Sequence, residues 1–543
     1  MADESAPQAD GGSAPSLRSR ALGLELARTF ARRASAPVVV TGEASAAHTW
    51  TFDDLARMSE RIAAGLRRRG LRAGDRCALG LATSLDHLVS LLGILRAGLT
   101  VVPLNPLASP EEARFILDHA ELSAAIVAER HAAIARDLVP LVTTDPGTLP
   151  DGSTDLTGEV GVDEDDAALL IYTSGTTGRP KGVLLSHRAL VENLRAIAGL
   201  WGWTESDRLL LTLPSHHLHG LVLGCLAPFL IGSSVVLRDG FHPRRVPRDL
   251  ESDRATMFFG VPTMYARLAA LDEADLAGAD LSRVRLWVSG SAPLPAALAA
   301  RFEERFGGRI VERFGMSEGG FMVSTRPGAE RPGSVGWPVP GVECRIVEPD
   351  ELDRVVKSTE SGTVPQRSSG GSAPGELREL PAGQVGELVV RGANLFSGYW
   401  RDSVATRRAF VDGWFRTGDL AMKDEEGAIR IVGRLSTDVI KSRGYKIGAV
   451  EIEECLASHP EIVEAAVVGV PDLDQGERVV AAVIAAPPGQ LTDTQVIDFL
   501  RPRVAKHKLP SEVVFLDELP RVGPGKVNKR ALAALLGNES KPG

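Results

Sequence analysis

The sequence predicts an α/β protein: a large N-terminal domain of stacked α/β subdomains plus a β-rich subdomain, followed by a small α+β C-terminal domain. Three observations carry this. Helical and short apolar segments alternate from about Leu22 to Arg326, the pattern of parallel-sheet units. Strand patterns dominate from Gly333 to Arg434, and after Arg434 a compact run of helix, strands and helix about 110 residues long is a domain in itself. A chain of 543 residues also exceeds one ordinary core.

The elements follow in order. Residues 1–20 open with "MADESAPQADGGSAPS", which lacks the basic start and apolar core of a signal peptide and reads as a disordered tail. Residues 21–434 form the expected N-terminal domain. Within it "HLVSLLGILRAGLTVVPL" is broken by Arg96 and turns to strand composition too soon for a membrane span. "ALLIY" (Ala168 to Tyr172) reads as a buried strand, and "SHRALVENLRAIAGL" as an amphipathic helix with Ser186 as N-cap and Leu190, Leu194 and Ile197 on one face. "STESGTVPQRSSGGSAPGE", Ser358 to Glu376, reads as a mobile surface loop. Residues 435–543 hold a helix at "AVEIEECLASHP", strands at "IVEAAVVGV" and "ERVVAAVIAA", and a helix at "DTQVIDFLRPRVAKH".

Composition narrows the function classes. Hydrophobic residues at 44% and charged residues at 24% are those of a soluble globular protein. A formal net charge of −9 argues against nucleic acid as main ligand. The cysteines Cys77, Cys225, Cys344 and Cys455 lie far apart with no C-x-x-C pair, which argues against a zinc site or disulfide framework and fits a reducing cytoplasm.

The chemistry is concentrated in "IYTSGTTGRPKGV", Ile171 to Val183, expected to join the strand to the helix behind it. Glycines let the backbone approach an anion, Ser/Thr hydroxyls and N–H groups donate to phosphate oxygens, and Lys181 adds charge. A Walker loop is excluded, because Gly175 and Gly178 are misplaced for G-x-x-x-x-G-K-[ST] and Lys181 is followed by Gly182. On this stretch alone a polar surface turn remains open.

"YTSGTTGRPKG" resembles the phosphate loop of the adenylate-forming superfamily, which includes acyl-CoA synthetases, firefly-type luciferases and peptide-synthetase adenylation domains. "SGSAPLP", "ERFGMSE", "WFRTGD", "GRLSTDVIKSRGYKIGAVEIE" and "PRVGPGKVNKR" follow in the family's order across almost the whole chain. The resemblance implies ATP binding by Thr173, Ser174, Gly175, Thr176, Thr177, Gly178 and Lys181, by Ser289, Gly290, Ser291 and Ala292, and by Glu312, Arg313, Phe314, Gly315 and Ser317. Phe314 stands where Tyr is usual and would stack on adenine. Glu318, with Thr176, would hold Mg²⁺ against the triphosphate, and Asp419 and Arg434 would bind the ribose hydroxyls.

Lys526 in "GPGKV" would be the catalytic lysine, although a lone lysine in such a loop is ordinarily a solvated charge. A carboxylate is already ionised at neutral pH, so attack on the α-phosphorus needs no base. Charge building on phosphoryl oxygens is the problem, and Lys526 with Mg²⁺ would stabilise it, together with Glu318 and Ser317 as the other catalytic residues.

In the family the small domain is mobile: it rotates about a hinge, here within Arg434 to Asp438 near Ser436, and presents a pantetheine tunnel lined by Lys441, Ser442, Arg443 and Gly444. The acceptor is coenzyme A, a carrier arm or oxygen chemistry. Free coenzyme A is favoured, because the chain runs only 17 residues past Lys526.

The acyl pocket would be lined by "LPSHHLHGL" and "FFGVPTMYARL", where His217, His219 and Arg267 are polar intruders, with Met316 beside them. This combination most resembles bacterial malonyl-CoA synthetases and implies Arg267 as a clamp on a second carboxylate. From sequence alone Arg267 is as readily a solvated residue. Gly319-Gly320-Phe321-Met322 departs from the malonate pattern, which implies an enlarged or reshaped pocket. The expected function is thus an ATP- and Mg²⁺-dependent short-dicarboxylate:CoA ligase, cytoplasmic, monomeric or homodimeric, without membrane or nucleic-acid partners. A medium-chain or aromatic acyl-CoA ligase and an inactive nucleotide-binding regulator are the alternatives.

Overall fold

The structure is a computed structural model that describes residues 21–42, 47–149, 161–173, 180–276, 278–361, 377–435, 438–443, 445–472, 474–486, 491–522 and 526–538. The N-terminal tail, the phosphate-loop residues Ser174, Gly175, Thr176, Thr177 and Gly178, Ser436 and Gly444 lie outside the described residues.

Two large sheets organise the N-terminal domain. The nine-stranded one runs, in spatial order, Trp337–Pro338, Gly320–Ser324, Ile310–Met316, Leu286–Ser289, Met257–Gly260, Arg208–Leu211, Ser234–Leu237, Pro37–Thr41 and His48–Thr51. Its central strands are parallel and read as unbroken apolar runs such as "LWVS" and "MFFG", because both faces are buried. The seven-stranded sheet runs from Gly398–Tyr399 through Lys181–Ser186 and Ala167–Thr173 to Thr100–Pro103, Arg76–Gly80, Ala124–Val127 and Leu141–Thr143. One contiguous apolar core draws on both sheets and on the helices Leu22–Arg32, Phe52–Arg68, Leu85–Arg96 and His187–Leu200. Among the described residues no helix is long and apolar enough to cross a membrane.

One expectation at the phosphate motif is corrected. It joins strand to strand: Ala167–Thr173 pairs antiparallel with Lys181–Ser186, closing the Thr173↔Lys181 rung, and the helix starts only at His187. "KGVLLS" buries Val183 and Leu185 and pairs on its other edge with Gly398–Tyr399. Ser186 caps the helix as expected, accepting from the Ala189 N–H at 3.1 Å, and Leu190, Leu194 and Ile197 are buried.

A five-stranded antiparallel sheet (Val342–Val347, Gly386–Gly392, Phe410–Val411, Trp414–Lys423, Ile429–Arg434) supplies the β-rich part. The expected loop from Ser358 is helical to Ser361, the end of helix Pro349–Ser361, since "PDELDRVVKSTES" carries a helical period; the remainder to Glu376 is outside the described residues. The last domain has its own five-stranded sheet, with helices Ala449–Ala457 and Asp493–Leu500 in one apolar cluster and Lys529–Asn538 in another. The helix expected to continue to His507 stops at Leu500, because Pro502 disfavours a helical conformation at Arg501 and has no N–H to give.

Candidate active site

The motifs converge at the carboxyl ends of four adjacent parallel strands of the large sheet, where α/β proteins bind ligands. Arg208–Leu211 leads to Thr212 and the histidine segment, and Met257–Gly260 leads to the helix Pro262–Ala269 that bears Arg267. Leu286–Ser289 leads to Gly290, Ser291 and Ala292, and Ile310–Met316 carries Glu312 to Met316, then Ser317 and Glu318. Thr173 and Lys181 reach the same region from the other sheet.

A chain of contacts connects the two sheets. The Lys181 ammonium lies 4.9 Å from the centre of the Tyr399 ring, and the Tyr399 hydroxyl donates to Glu318 Oε1 at 3.0 Å. Glu318 is buried, and its carbonyl accepts from the Phe396 N–H at 2.8 Å. Burial, helped by the adjacent Glu318 carboxylate, holds the Tyr399 hydroxyl far above its ordinary range, so it stays a donor. Tyr399 escaped the sequence reading because "SGYW" falls between motifs; its pairing with Val183 brings it there.

On the nucleotide side, Phe314 and Ser317 are both half-buried. Asp419 and Arg434 are opposite residues of one antiparallel pair, with Nη1 3.3 Å from Oδ1, and Arg434 Nη2 donates to the Thr417 carbonyl at 3.3 Å. Burial pushes the Glu312 carboxyl up to about 8, against a lowering hydrogen bond from the Leu294 backbone.

Beside these residues lies a concentration of orphaned polar atoms. Arg313 is 5% exposed, its guanidinium is 5.0 Å from the centre of the Phe321 ring, and Nη2 donates to Ser291 Oγ at 3.4 Å while Nε has no partner. Among the described residues no carboxylate forms an ion pair with it. Burial pushes the guanidinium down to about 9, the mark of a cation short of a counter-charge. Among the described residues, both ring nitrogens of buried His219 have no hydrogen-bond partner, nor have Ser289 Oγ and Thr212 Oγ1. Burial, and then the charge of Arg313, keep His219 neutral.

Local backbone shapes this cluster. A Cβ at Gly290 would sit 2.6 Å from Arg313 Cζ, so only glycine leaves room for the guanidinium. Ser291 is held at φ 72°, a left-handed conformation costly for a residue with a side chain, which places its hydroxyl on Arg313. His219 begins an eight-residue π-helical segment, His219–Leu226, a wide-wound form frequent at functional sites. Asn193 holds the strand below by two 2.8 Å bonds to the Phe321 backbone.

The other expected residues differ in exposure. Arg267 is exposed in the last turn of its helix, and the His217 ring is tilted 50° against that of His216 with centres 4.2 Å apart; burial pushes His216 down to about 3. Met316 is half-buried at its strand end. At Gly319 a Cβ would meet Met322 Sδ at 2.4 Å, so the Met322 side chain packs directly against this glycine. Lys441 and Arg443 are exposed while Ser442, between them on an alternating strand, is buried. Lys526 opens the short strand Lys526–Val527. Among the described residues no group of three or more His, Cys, Asp or Glu side chains is placed to hold a metal ion. A lone carboxylate such as Glu318 suits Mg²⁺, which is held mostly by phosphate oxygens and water.

Fold and site together define an enzyme of nucleotide-dependent carboxylate activation. Residues 26–370 match the AMP-binding enzyme family and residues 451–526 the AMP-binding enzyme C-terminal domain, and the chain belongs to this family. Among curated relatives, the mitochondrial malonate–CoA ligase of Mus musculus is 36% identical over 512 residues, covering 88% of this chain and 85% of that protein. A feruloyl-CoA synthase of Amycolatopsis is 35% identical over 494 residues, covering 88% and 92%. The crystal structure of ATP-bound MatB from Rhodopseudomonas palustris superposes with a TM-score of 0.83 at 32% identity, over 96% of this chain and all of that one.

Proposed function

We propose that this protein is an AMP-forming malonate–CoA ligase: it activates malonate, or a close dicarboxylate, with ATP and Mg²⁺ and passes the acyl group to coenzyme A. The carrying observation is the buried Arg313 guanidinium, which among the described residues has no carboxylate partner, beside His219, whose ring nitrogens have no hydrogen-bond partner among them. A buried cation without a counter-ion is expensive, and a substrate carboxylate would neutralise it. A monocarboxylate would have one end reacting with ATP and nothing to offer Arg313. A diacid has both. Arg313, first assigned to ATP, is therefore assigned to the distal carboxylate, with Ser291 and His219 around it and the exposed Arg267 as the competing clamp. The mouse relative, a malonate–CoA ligase, supports the same reading.

In this reading the reacting carboxylate attacks the α-phosphorus in line, and pyrophosphate departs. Glu318, oriented by Tyr399, would hold Mg²⁺, which would neutralise phosphate charge when bound. Asp419 and Arg434 would fix the ribose, Phe314 the adenine, and Lys526 would offset charge in the transition state. The test is acid-dependent ATP–pyrophosphate exchange and CoA-dependent AMP release with malonate, methylmalonate, succinate, propionate, octanoate and ferulate. Malonate or methylmalonate should lead. A lead by octanoate or ferulate would refute the diacid assignment.

A further inference from the structure

Asp438 is tied on every side. Its Oδ2 accepts from the Arg434 N–H at 2.7 Å, its own N–H donates to the Arg434 carbonyl at 2.7 Å, and its carbonyl accepts from the Ala449 N–H at 2.8 Å. The other carboxylate oxygen meets the Lys529 ammonium at 2.5 Å. Lys529 also binds Glu453 Oε1 at 2.7 Å, and that oxygen accepts from the Val467 N–H at 2.6 Å. The three side chains are only 15%, 15% and 18% exposed, so water screens them little.

Lys529 is in an unexpected place for a lysine. It is the first residue of helix Lys529–Asn538, where the helix dipole disfavours a cation, and it is buried. Two carboxylates offset both costs, so the pairing is specific. It lies three residues after Lys526 (529 − 526), whose strand pairs with Arg521–Val522, and the intervening Asn528 donates its N–H to the Pro520 carbonyl at 2.7 Å. On the other side Arg434, whose backbone holds Asp438, carries the guanidinium that faces Asp419.

We propose that Lys529 is a positioning residue for the adenylation step: clamped by Asp438 and Glu453, it fixes the strand bearing Lys526 relative to the segment that leaves Asp419 and Arg434. This rests on the adenylation reading above. Lys526 acts on phosphoryl charge only in that first step. A displacement of about 1 Å at a reacting group costs on the order of a hundredfold in rate, so a loosened anchor should slow adenylation selectively. A merely structural role would weaken the whole C-terminal domain and slow both steps alike.

The experiment compares Lys529→Gln with wild type in malonate-dependent ATP–pyrophosphate exchange, and in CoA capture of a chemically prepared acyl-adenylate. Exchange should fall roughly tenfold to a hundredfold, at least about tenfold more than CoA capture, and Lys529→Arg should restore most of it. Should Lys529→Gln not fold, Asp438→Asn, which keeps the acceptor for the Arg434 N–H and removes the charge opposite Lys529, must show the same split. Equal losses in both steps, or unchanged exchange in a folded variant, overturn the proposal. Absence of acid-dependent exchange in the wild-type protein overturns the adenylation reading together with it, which distinguishes the two failures.

Discussion

Arg313→Met gives the sharpest test of the diacid pocket. Methionine keeps much of the side-chain volume and removes a guanidinium that has no carboxylate partner among the described residues. The fold loses a cation–aromatic contact with Phe321 at 5.0 Å, worth about 1 kcal/mol, and is relieved of a buried cation. Melting temperature should therefore change little. Binding is another matter, because a bound malonate would then leave its distal carboxylate buried and unpaired. Removing one partner of a buried ion pair costs about 3 to 5 kcal/mol, and at 1.36 kcal/mol per decade kcat/KM for malonate should drop at least about a hundredfold. Propionate has no distal carboxylate and should lose nothing or gain. The assay is pyrophosphate exchange with both acids, read as the ratio of their kcat/KM values. An equal drop for both, or no drop for malonate, refutes the reasoning. A selective malonate loss in Arg267→Ala alone would move the clamp to that exposed arginine.

The remaining predictions concern the nucleotide side and pH. Lys526→Ala should lower acid-dependent pyrophosphate exchange by about a hundredfold or more, the scale of removing one charge-stabilising donor, and retained exchange would remove Lys526 from catalysis. Tyr399→Phe takes away the 3.0 Å hydrogen bond to Glu318, worth about 1.5 to 3 kcal/mol for a charged acceptor, so exchange should slow by roughly tenfold or more and need more Mg²⁺; an unchanged Mg²⁺ titration counts against the assigned role of Glu318. Glu312 has its carboxyl raised by burial from an ordinary 4.5 to about 8. Its contribution to stability is thus full below about pH 4.5 and lost as pH rises through 8. Glu312→Gln should accordingly gain in melting temperature over wild type progressively across that window and match it in acid; a constant difference at all pH values disproves the shift.

The candidate site residues could be picked out of the sequence for a physical reason. Phosphate loops, ribose acids and magnesium carboxylates are short local devices, and their residue types announce them. The place of Tyr399 and the role proposed for Arg313 depend on contacts between distant segments. Tyr399 is 81 residues from Glu318 (399 − 318) and reaches it only because Gly398–Tyr399 pairs with the strand after the phosphate loop. Arg313 sits within a nucleotide motif, and its lack of a counter-ion among the described residues is invisible until burial is known.

Hydrophobic period and punctuation by proline and glycine set the element order, the separate C-terminal domain and the helix capped by Ser186, because these rest on interactions a few residues long. Sheet partners, the lack of a hydrogen-bond partner for His219 among the described residues, the packing of Met322 against Gly319 and the enclosure of Lys529 between two acids rest on segments that meet only after folding. Charge and burial are properties of an environment, and an environment is assembled from the whole chain.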